Sequence, residues 1–548
     1  MRAADFIVES LKAHGVKRVY CVPGESYLAL LDALHSSDIQ VIICRHEGGA
    51  GFMAVAEARM TGVPGVVLVS RGPGATNVSI AVHMADQDGV PLIVIVGQVA
   101  RDEKYRFVFQ EMDYCAVFGS FSKGVFELSD ATRLPELMPR VFRLALEGVQ
   151  GPVILPVPED MLRDDIANPR LLTYPLPQLA AASSSIEAVR NLLLQAERPL
   201  VIAGSKLRGT KGAEALAKFA ATQRVPVAVT WKSQDVFDNA SELYAGHLDM
   251  GTPKPLRDVL TRADLIIAVG TRLGDFATMG FTLPEAPQPR QTLVHIYPDS
   301  KPIGRVIRVD LGIVAEPADV LTALSPNVRV APAARERWIS SVHEATAFAQ
   351  AYAPRHPTDG VDFGAVILAL AKLASANAVI TMDAGNITTW PHRHWKMSPK
   401  NLLIGGVVGA MGLGVPAAVA ASLVDPSRMV ICLVGDGGML MTGNELATAV
   451  AFGATPKIVI SDNGIYGTIR THQERQFPHR VSGTNLVNPD FTAWVQSFGV
   501  AAFTLKLGDD VEAVVTAFLA EKGAAVLHVH SSAQSLSAGG TLTAKEAI

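Results

Sequence analysis

Short runs of β-branched and other apolar residues alternate with helical periodicity along almost the whole chain. Between residues 1 and 165 the runs are VKRVYCV, VIICR, GVVLVS, PLIVIVG and GPVILPV. Unbroken apolar runs of this length mark strands buried on both faces, as in a parallel sheet with helices on either side. The pattern returns between residues 185 and 330 in PLVIAG, VPVAVTW, DLIIAVG and TLVHIYP. It returns once more between residues 355 and 535 in AVITMDAGN, NLLIGGVVG, MVICLVGDGG, PKIVISDNG and AAVLHVH. Two polar, proline-bearing stretches, ANPRLLTYPLPQLAAASSS and AYAPRHPTDG, separate the three blocks. The expected fold is α/β: three Rossmann-like, doubly wound parallel-sheet domains at 1–165, 185–330 and 355–535. The tail 536–548, within SSAQSLSAGGTLTAKEAI, lacks periodicity and is expected to be a loose arm or a lid.

With 548 residues the chain is too long for one hydrophobic core, in keeping with three domains. Half of it is apolar and only 18% is charged, so large cores can be buried. A net charge of −4 gives no global reason to bind nucleic acid or an anionic membrane. The expected partners are small molecules and copies of the chain itself. Cys21, Cys44, Cys115 and Cys432 follow no metal-ligand spacing and read as reduced, partly buried thiols of a cytoplasmic protein. The opening MRAADFIVESLKAHGV is an amphipathic helix with mixed charges and no long apolar region, so no export signal is expected. The uncharged stretch Asn401 to Val424 is long enough to span a bilayer, but its glycines and Pro416 favour a strand, a glycine turn and a buried helix.

Candidate chemistry concentrates between Val430 and Arg470. One strand ends in Gly435-Asp436-Gly437-Gly438, a helix passes through Glu445-Leu446-Ala447, and another strand ends at Ser461-Asp462-Asn463-Gly464. In a βαβ unit the two strands are parallel, so Asp436 and Asn463 emerge at one carboxyl edge, where open α/β sheets place ligands. A carboxylate and an amide there suit a hard cation such as Mg²⁺, which takes few protein oxygens and completes its shell with phosphate and water. The glycines let backbone N–H groups approach a diphosphate, and the following helix presents its positive end. Either motif alone is better read as a turn, since Asp, Asn and Gly dominate turns. Their pairing across a strand, a helix and a strand favours the ligand site.

With that pairing the chain resembles the thiamine-diphosphate-dependent enzymes, whose signature is GDG followed, one helix and one strand later, by a strand-end asparagine. The resemblance implies thiamine diphosphate and Mg²⁺, with Asp436, Asn463 and the backbone carbonyl of Ile465 as metal ligands. Asp462 stands where the family has a first asparagine. The resemblance also asks for a glutamate after the second strand, to protonate the pyrimidine ring of the cofactor, and Arg45-His46-Glu47-Gly48-Gly49-Ala50 supplies Glu47. A carboxyl group buried against an apolar ring is driven toward its protonated form and can share a proton with a ring nitrogen. The plainer reading is a helix N-terminal glutamate stabilised by the dipole.

Other segments extend the likeness. Tyr20-Cys21-Val22-Pro23-Gly24-Glu25 is similar to the family's first strand-turn, and Ser70-Arg71-Gly72-Pro73-Gly74-Ala75-Thr76-Asn77 to the glycine-rich loop beside the pyrimidine. Gly409-Ala410-Met411-Gly412 matches the place where a backbone carbonyl holds an amino group and a bulky apolar side chain bends the cofactor. Outside that context Met411 reads as ordinary core. Asp383-Ala384-Gly385-Asn386 lies where the diphosphate-binding domain begins, with Asn386 in reach of phosphate. The implied cofactor contacts are Pro23, Gly24, Asn77, Asn386, Gly409, Met411, Gly435, Gly437, Gly438 and Met439.

Within the family the chain is most similar to the acetolactate synthase group, including Gly97-Gln98-Val99 and Phe109-Gln110-Glu111-Met112-Asp113, where Gln110 is a candidate contact to the reacting substrate. Two positions depart: Phe276 stands where the synthases carry an arginine, and His472 where they carry a tryptophan. Both changes fall in one acceptor pocket and are expected to alter the size and polarity it accepts. His472 reads as a general acid or base, or as a surface histidine of the basic helix RTHQERQFPHR. The implied activity is decarboxylation of a 2-oxoacid, with or without carboligation to an aldehyde or ketone. The alternatives are a 2-oxoacid decarboxylase or oxidase, or a non-enzymatic regulatory paralogue, which the presence of Glu47 disfavours. The resemblance further implies a homodimer or homotetramer, in which Glu47 of one chain serves the cofactor held by Asp436 and Asn463 of its partner. FAD or an adenine nucleotide stays open for the central domain, because Gly246-His247-Leu248-Asp249-Met250-Gly251 only partly matches the glycine-rich stretch of the synthases.

Overall fold

The computed structural model describes residues 1–326 and 333–540. Its strands form three six-stranded sheets. The first holds β1 (Arg18–Cys21), β2 (Gln40–Ile43), β3 (Gly65–Ser70), β4 (Leu92–Gln98), β5 (Gly124–Val125) and β6 (Pro152–Pro158), in the order β2-β1-β3-β4-β6-β5. The second holds β7 (Pro199–Ala203), β8 (Val227–Thr230), β9 (Tyr244–Leu248), β10 (Leu265–Val269), β11 (Thr292–Tyr297) and β12 (Leu311–Val314), ordered β12-β11-β10-β7-β8-β9. The third holds β13 (Val379–Met382), β14 (Leu402–Ile404), β15 (Val430–Gly435), β16 (Lys457–Asp462), β17 (Ala501–Leu505) and β18 (Ala525–His530), ordered β14-β13-β15-β16-β18-β17.

Neighbouring strands run parallel throughout, as β3 with β4, β7 with β10 and β15 with β16 show. Val67, Val69, Val94 and Val96 point into one core while Val66, Leu68, Ile93 and Ile95 point into another. Burial on both faces is why the apolar runs are unbroken. In the first and third sheets the chain leaves its first strand in opposite directions, which opens a crevice at the carboxyl edge between β1 and β3 and between β13 and β15. In the central sheet the corresponding crevice lies between β7 and β10.

The N- and C-terminal sheets share one core, in which helix Glu47–Thr61 packs against helix Gly414–Val424. The latter closes the uncharged stretch, which folds as β14, a glycine-rich loop and this buried helix. Among the described residues no helix is long and apolar enough to cross a membrane. Helix Ala333–Gln350 packs on the central sheet, where the Trp338 indole donates to the Pro199 carbonyl at 2.8 Å.

Two expectations are corrected. Residues 536–540 are not a loose arm: Arg355 donates to the Ser535 hydroxyl and the carbonyls of Ser537 and Ala538, and Arg393 donates to Ala538 as well. The rest of the tail, 541–548, lies outside the described residues. The thiols also differ from a uniform partial burial, since Cys21, Cys44 and Cys432 are buried and Cys115 is exposed.

One polar seat joins the outer domains. The fully buried Glu445 carboxylate accepts the backbone N–H of Arg45 at 3.0 Å and of His46 at 3.1 Å, and the Thr448 hydroxyl at 2.6 Å. A Cβ at Gly49 would stand 2.5 Å from this carboxylate and push it out of its seat. Burial raises the Glu445 pKa, and the donated hydrogen bonds work against that rise. Glu445→Ala leaves two part-buried N–H groups without their acceptor and is expected to cost about 1–3 kcal/mol of stability. A lowered urea midpoint checks this, with Glu445→Gln losing less because it keeps an acceptor; an alanine variant as stable as the parent contradicts it.

Candidate functional site

A cavity of about 240 Å³ opens at the carboxyl edge of the third sheet, between β13 and β15. Asp436 follows β15 directly and begins the short helix Asp436–Thr442. It is 4% exposed, and its carboxylate accepts N–H bonds from Gly437 and Gly464 at 2.9 Å and from the Asn488 amide at 2.8 Å. Burial pushes its pKa up. Among the described residues no Lys, Arg or His forms an ion pair with it. Asn463, just past β16, lines the same cavity and accepts the Ile465 N–H at 3.2 Å, and Ile465 lines it too. The structure therefore brings Asp436, Asn463 and Ile465 together. A carboxylate, an amide oxygen and a main-chain carbonyl form an all-oxygen set, which suits Mg²⁺ rather than a soft metal.

The walls test whether a diphosphate fits. A Cβ built on Gly409 or on Gly435 meets no atom within 4 Å, so at both positions bare backbone borders open space. Gly409 has a φ of +70°, which also favours glycine. At Gly437 and Gly438 a side chain has no room, since a Cβ would stand 2.5 Å from the cavity-lining Tyr466 ring and 3.0 Å from the Asp383 carboxylate. Met411 and Asn386 line the cavity, and Asn386 accepts a hydrogen bond from the Thr468 hydroxyl at 3.0 Å. These residues fit a diphosphate with its cation. Met439 is placed differently: its side chain is fully buried in the core and does not line the cavity.

Asp462 does not line the cavity either. Its carboxylate accepts from His528 Nε2 at 2.8 Å and from the Asn488 amide at 2.8 Å. Burial alone would raise its pKa, but the His528 and Asn488 bonds outweigh it and hold the group below its ordinary value. Asn488 thus ties Asp436 to Asp462, a role that nothing in the stretch NLVNPD announces. Thr468 and Leu536, which also line the cavity, were equally silent in the sequence.

The N-terminal candidates gather around the β1–β3 crevice. Glu47 begins helix Glu47–Thr61 and accepts the Asn77 amide at 2.9 Å. A Cβ on Gly74 would lie 3.5 Å from the Glu47 carboxylate, and one on Gly24 would lie 2.5 Å from Ser70. Pro23 is exposed beside them. Gln110 adopts a φ of +64°, and its carbonyl accepts the Gly72 N–H at 3.1 Å. None of these residues lines the cavity that holds Asp436 in the same chain. His472 is exposed on helix Gly467–Gln476, one turn beyond the cavity-lining Thr468 and on the same helix face.

A third space of about 180 Å³ lies at the central β7–β10 crevice, where Trp231 and Phe276 stack with ring centroids 4.4 Å apart. The Gly246–Gly251 stretch does not line it; His247 and Asp249 are instead buried, with Nε2 and the carboxylate 3.3 Å apart.

Comparison with known proteins agrees with this geometry. Residues 1–117 match the N-terminal TPP binding domain of thiamine pyrophosphate enzymes, 186–324 the central domain and 383–529 the C-terminal TPP binding domain. The acetolactate synthase isozyme 1 large subunit of Escherichia coli (strain K12) is 32% identical over 543 residues, covering 97% of this chain and 94% of that protein. The isozyme 2 large subunit of the same organism is 29% identical, covering 96% and 95%. The acetolactate synthase large subunit of Parasynechococcus marenigrum (strain WH8102) is 30% identical, covering 91% and 82%. Likeness of this extent over all three sheets, together with the oxygen-lined cavity, means that the chain belongs to the thiamine pyrophosphate enzyme family.

Proposed function

We propose that the chain is an acetolactate synthase-like enzyme that decarboxylates a 2-oxoacid and joins the remaining acyl carbon to an aldehyde or ketone, using thiamine diphosphate held through Mg²⁺. The observation that carries this is the buried Asp436 carboxylate, without a cationic partner among the described residues, meeting Asn463 and Ile465 on a wall of bare glycine backbone. When bound, thiamine diphosphate supplies a nucleophilic carbon for the oxoacid carbonyl and an electron sink for the departing CO₂.

The chain's own residues divide the remaining work. Asp436, Asn463 and the Ile465 carbonyl hold the cation, while Gly435, Gly437 and Gly438 let the diphosphate approach the backbone. Met439 supports that turn from the core, and Asn386 faces the cavity as a polar neighbour of phosphate. The Gly409 carbonyl accepts an amino hydrogen, and Met411 supplies an apolar surface beside it. Glu47, oriented by Asn77, exchanges a proton with a ring nitrogen, with Pro23 and Gly24 flanking the ring. Gln110 offers its amide to the substrate. His472, on the helix that borders the cavity, is the proton donor or acceptor nearest the acceptor side.

Since Glu47 and the cavity face different spaces within one chain, a second copy supplies the missing half. A homodimer is then the smallest active unit, and a homotetramer pairs two of them. The unpaired thiols support a cytoplasmic location. The central crevice, whose strand order is that of dinucleotide-binding folds, is the place for FAD or an adenine nucleotide.

Three outcomes are expected. The purified protein with thiamine diphosphate and Mg²⁺ releases CO₂ from a member of a 2-oxoacid panel, and Glu47→Gln abolishes this; unaltered turnover in that variant contradicts the assignment. Co-expressed Glu47→Gln and Asp436→Ala chains, each inactive alone, recover turnover together, because one of the two shared sites in a mixed dimer is intact; no recovery contradicts the shared site. The visible absorbance spectrum of the purified protein shows a flavin band if FAD occupies the central crevice and none if an adenine nucleotide does.

A further inference from the structure

The loop from Gly405 to Gly412 carries two residues of the cavity wall, Gly409 and Met411, and it is anchored by charged side chains from all three domains. From the N-terminal domain, Arg59 donates to the Gly405 carbonyl at 2.9 Å and pairs with Asp88, whose carboxylate accepts the Val407 N–H at 2.8 Å. From the central domain, Lys232 donates to the Gly406 carbonyl at 2.8 Å. From the C-terminal domain, Asp383 accepts the Gly412 N–H at 2.9 Å through both oxygens, and the Thr442 hydroxyl donates to the Gly412 carbonyl at 2.7 Å.

Lys232 is the unusual member. It is 3% exposed, and among the described residues no carboxylate forms an ion pair with it; Asp88 and Asp383 act on it only through space. Burial lowers its pKa to about 8, with Arg59 acting in the same sense. Its φ of +60° lies in the left-handed region, which a long side chain adopts only when its surroundings compel it. Its stem crosses Gly405, where a Cβ would stand 2.9 Å from Lys232 Cδ, and its ammonium lies 4.5 Å from the Trp231 ring centre. Strain, burial and a glycine passage all serve one hydrogen bond.

We propose that Lys232 is a positioning residue: by fixing the Gly406 carbonyl it holds the Gly405–Gly412 loop so that Gly409 and Met411 face the cofactor cavity. This rests on the assignment of that cavity to thiamine diphosphate. Because Trp231 and Val407 also line the central crevice, the same bond ties that crevice to the cofactor wall.

The test is hydrogen exchange on the full-length, cofactor-free protein, followed by titration with thiamine diphosphate and Mg²⁺. In Lys232→Met the peptides over residues 405–412 exchange about tenfold faster, as expected for loss of one charge-assisted bond, while those of the central strand at 199–203 are unchanged. The Kd for thiamine diphosphate weakens by a similar factor. Lys232→Gly, which is at ease at this φ, loosens the loop in the same way, separating the ammonium from the backbone strain. Parent-like exchange in either variant overturns the proposal, and so does faster exchange with an unchanged Kd. Failure of the parent itself to bind thiamine diphosphate refutes the cavity assignment instead. Should both variants fail to fold, amine acetylation of the native parent decides: the buried Lys232 resists the reagent while the exposed Lys254 and Lys372 react, and labelling of Lys232 at their rate overturns the proposal.

Discussion

A carboxylate taken out of water needs a compensating charge or a full set of hydrogen bonds, and Asp436 sets that demand at the centre of this molecule. It receives three hydrogen bonds, yet burial still raises its pKa, and no cationic side chain among the described residues meets it. The parallel sheet explains its position. β15 and β16 end side by side, so the residues just beyond them, Asp436 and Asn463, share one edge. A divalent cation carrying a diphosphate answers the charge and fills the space beside Gly409 and Gly435 at once.

The rest of the architecture holds that edge in place. Helix Glu47–Thr61 packs into the core shared with the third sheet, and Glu445 fastens the turn just before Glu47. The Glu47 carboxylate is thereby fixed, but toward a space other than the cavity of its own chain. Under the proposed sharing of the site, a second copy brings its Glu47 to the cavity, because close packing keeps the two half-sites of one chain apart.

Much of the fold was legible because it rests on local patterns. Unbroken apolar runs such as LIVIVG at β4 can be satisfied only by burial on both faces. The GDGG and DNG segments were legible because strand ends at a common edge need no knowledge of distant contacts. What escaped notice depends on partners far along the chain. Glu445, placed on a helix by the sequence, carries no local sign of its partner Arg45, 400 positions away. Lys232, just past the run VPVAVTW, carries no local sign of its partner Gly406, 174 positions away. The Ser-rich segment at 531–540 has no periodicity because Arg355 and Arg393 hold it largely through its main-chain carbonyls. Met439 shows the converse: next to a signature motif, it packs in the core.

The most direct test of the central claim is calorimetric titration of thiamine diphosphate into metal-free protein, with and without Mg²⁺. Saturable heat at one cofactor per chain that requires Mg²⁺, and that disappears in Asp436→Ala, is the predicted result. Binding of equal strength in the presence of a chelator, or no binding when Mg²⁺ is abundant, would contradict a cofactor tethered through a cation at Asp436.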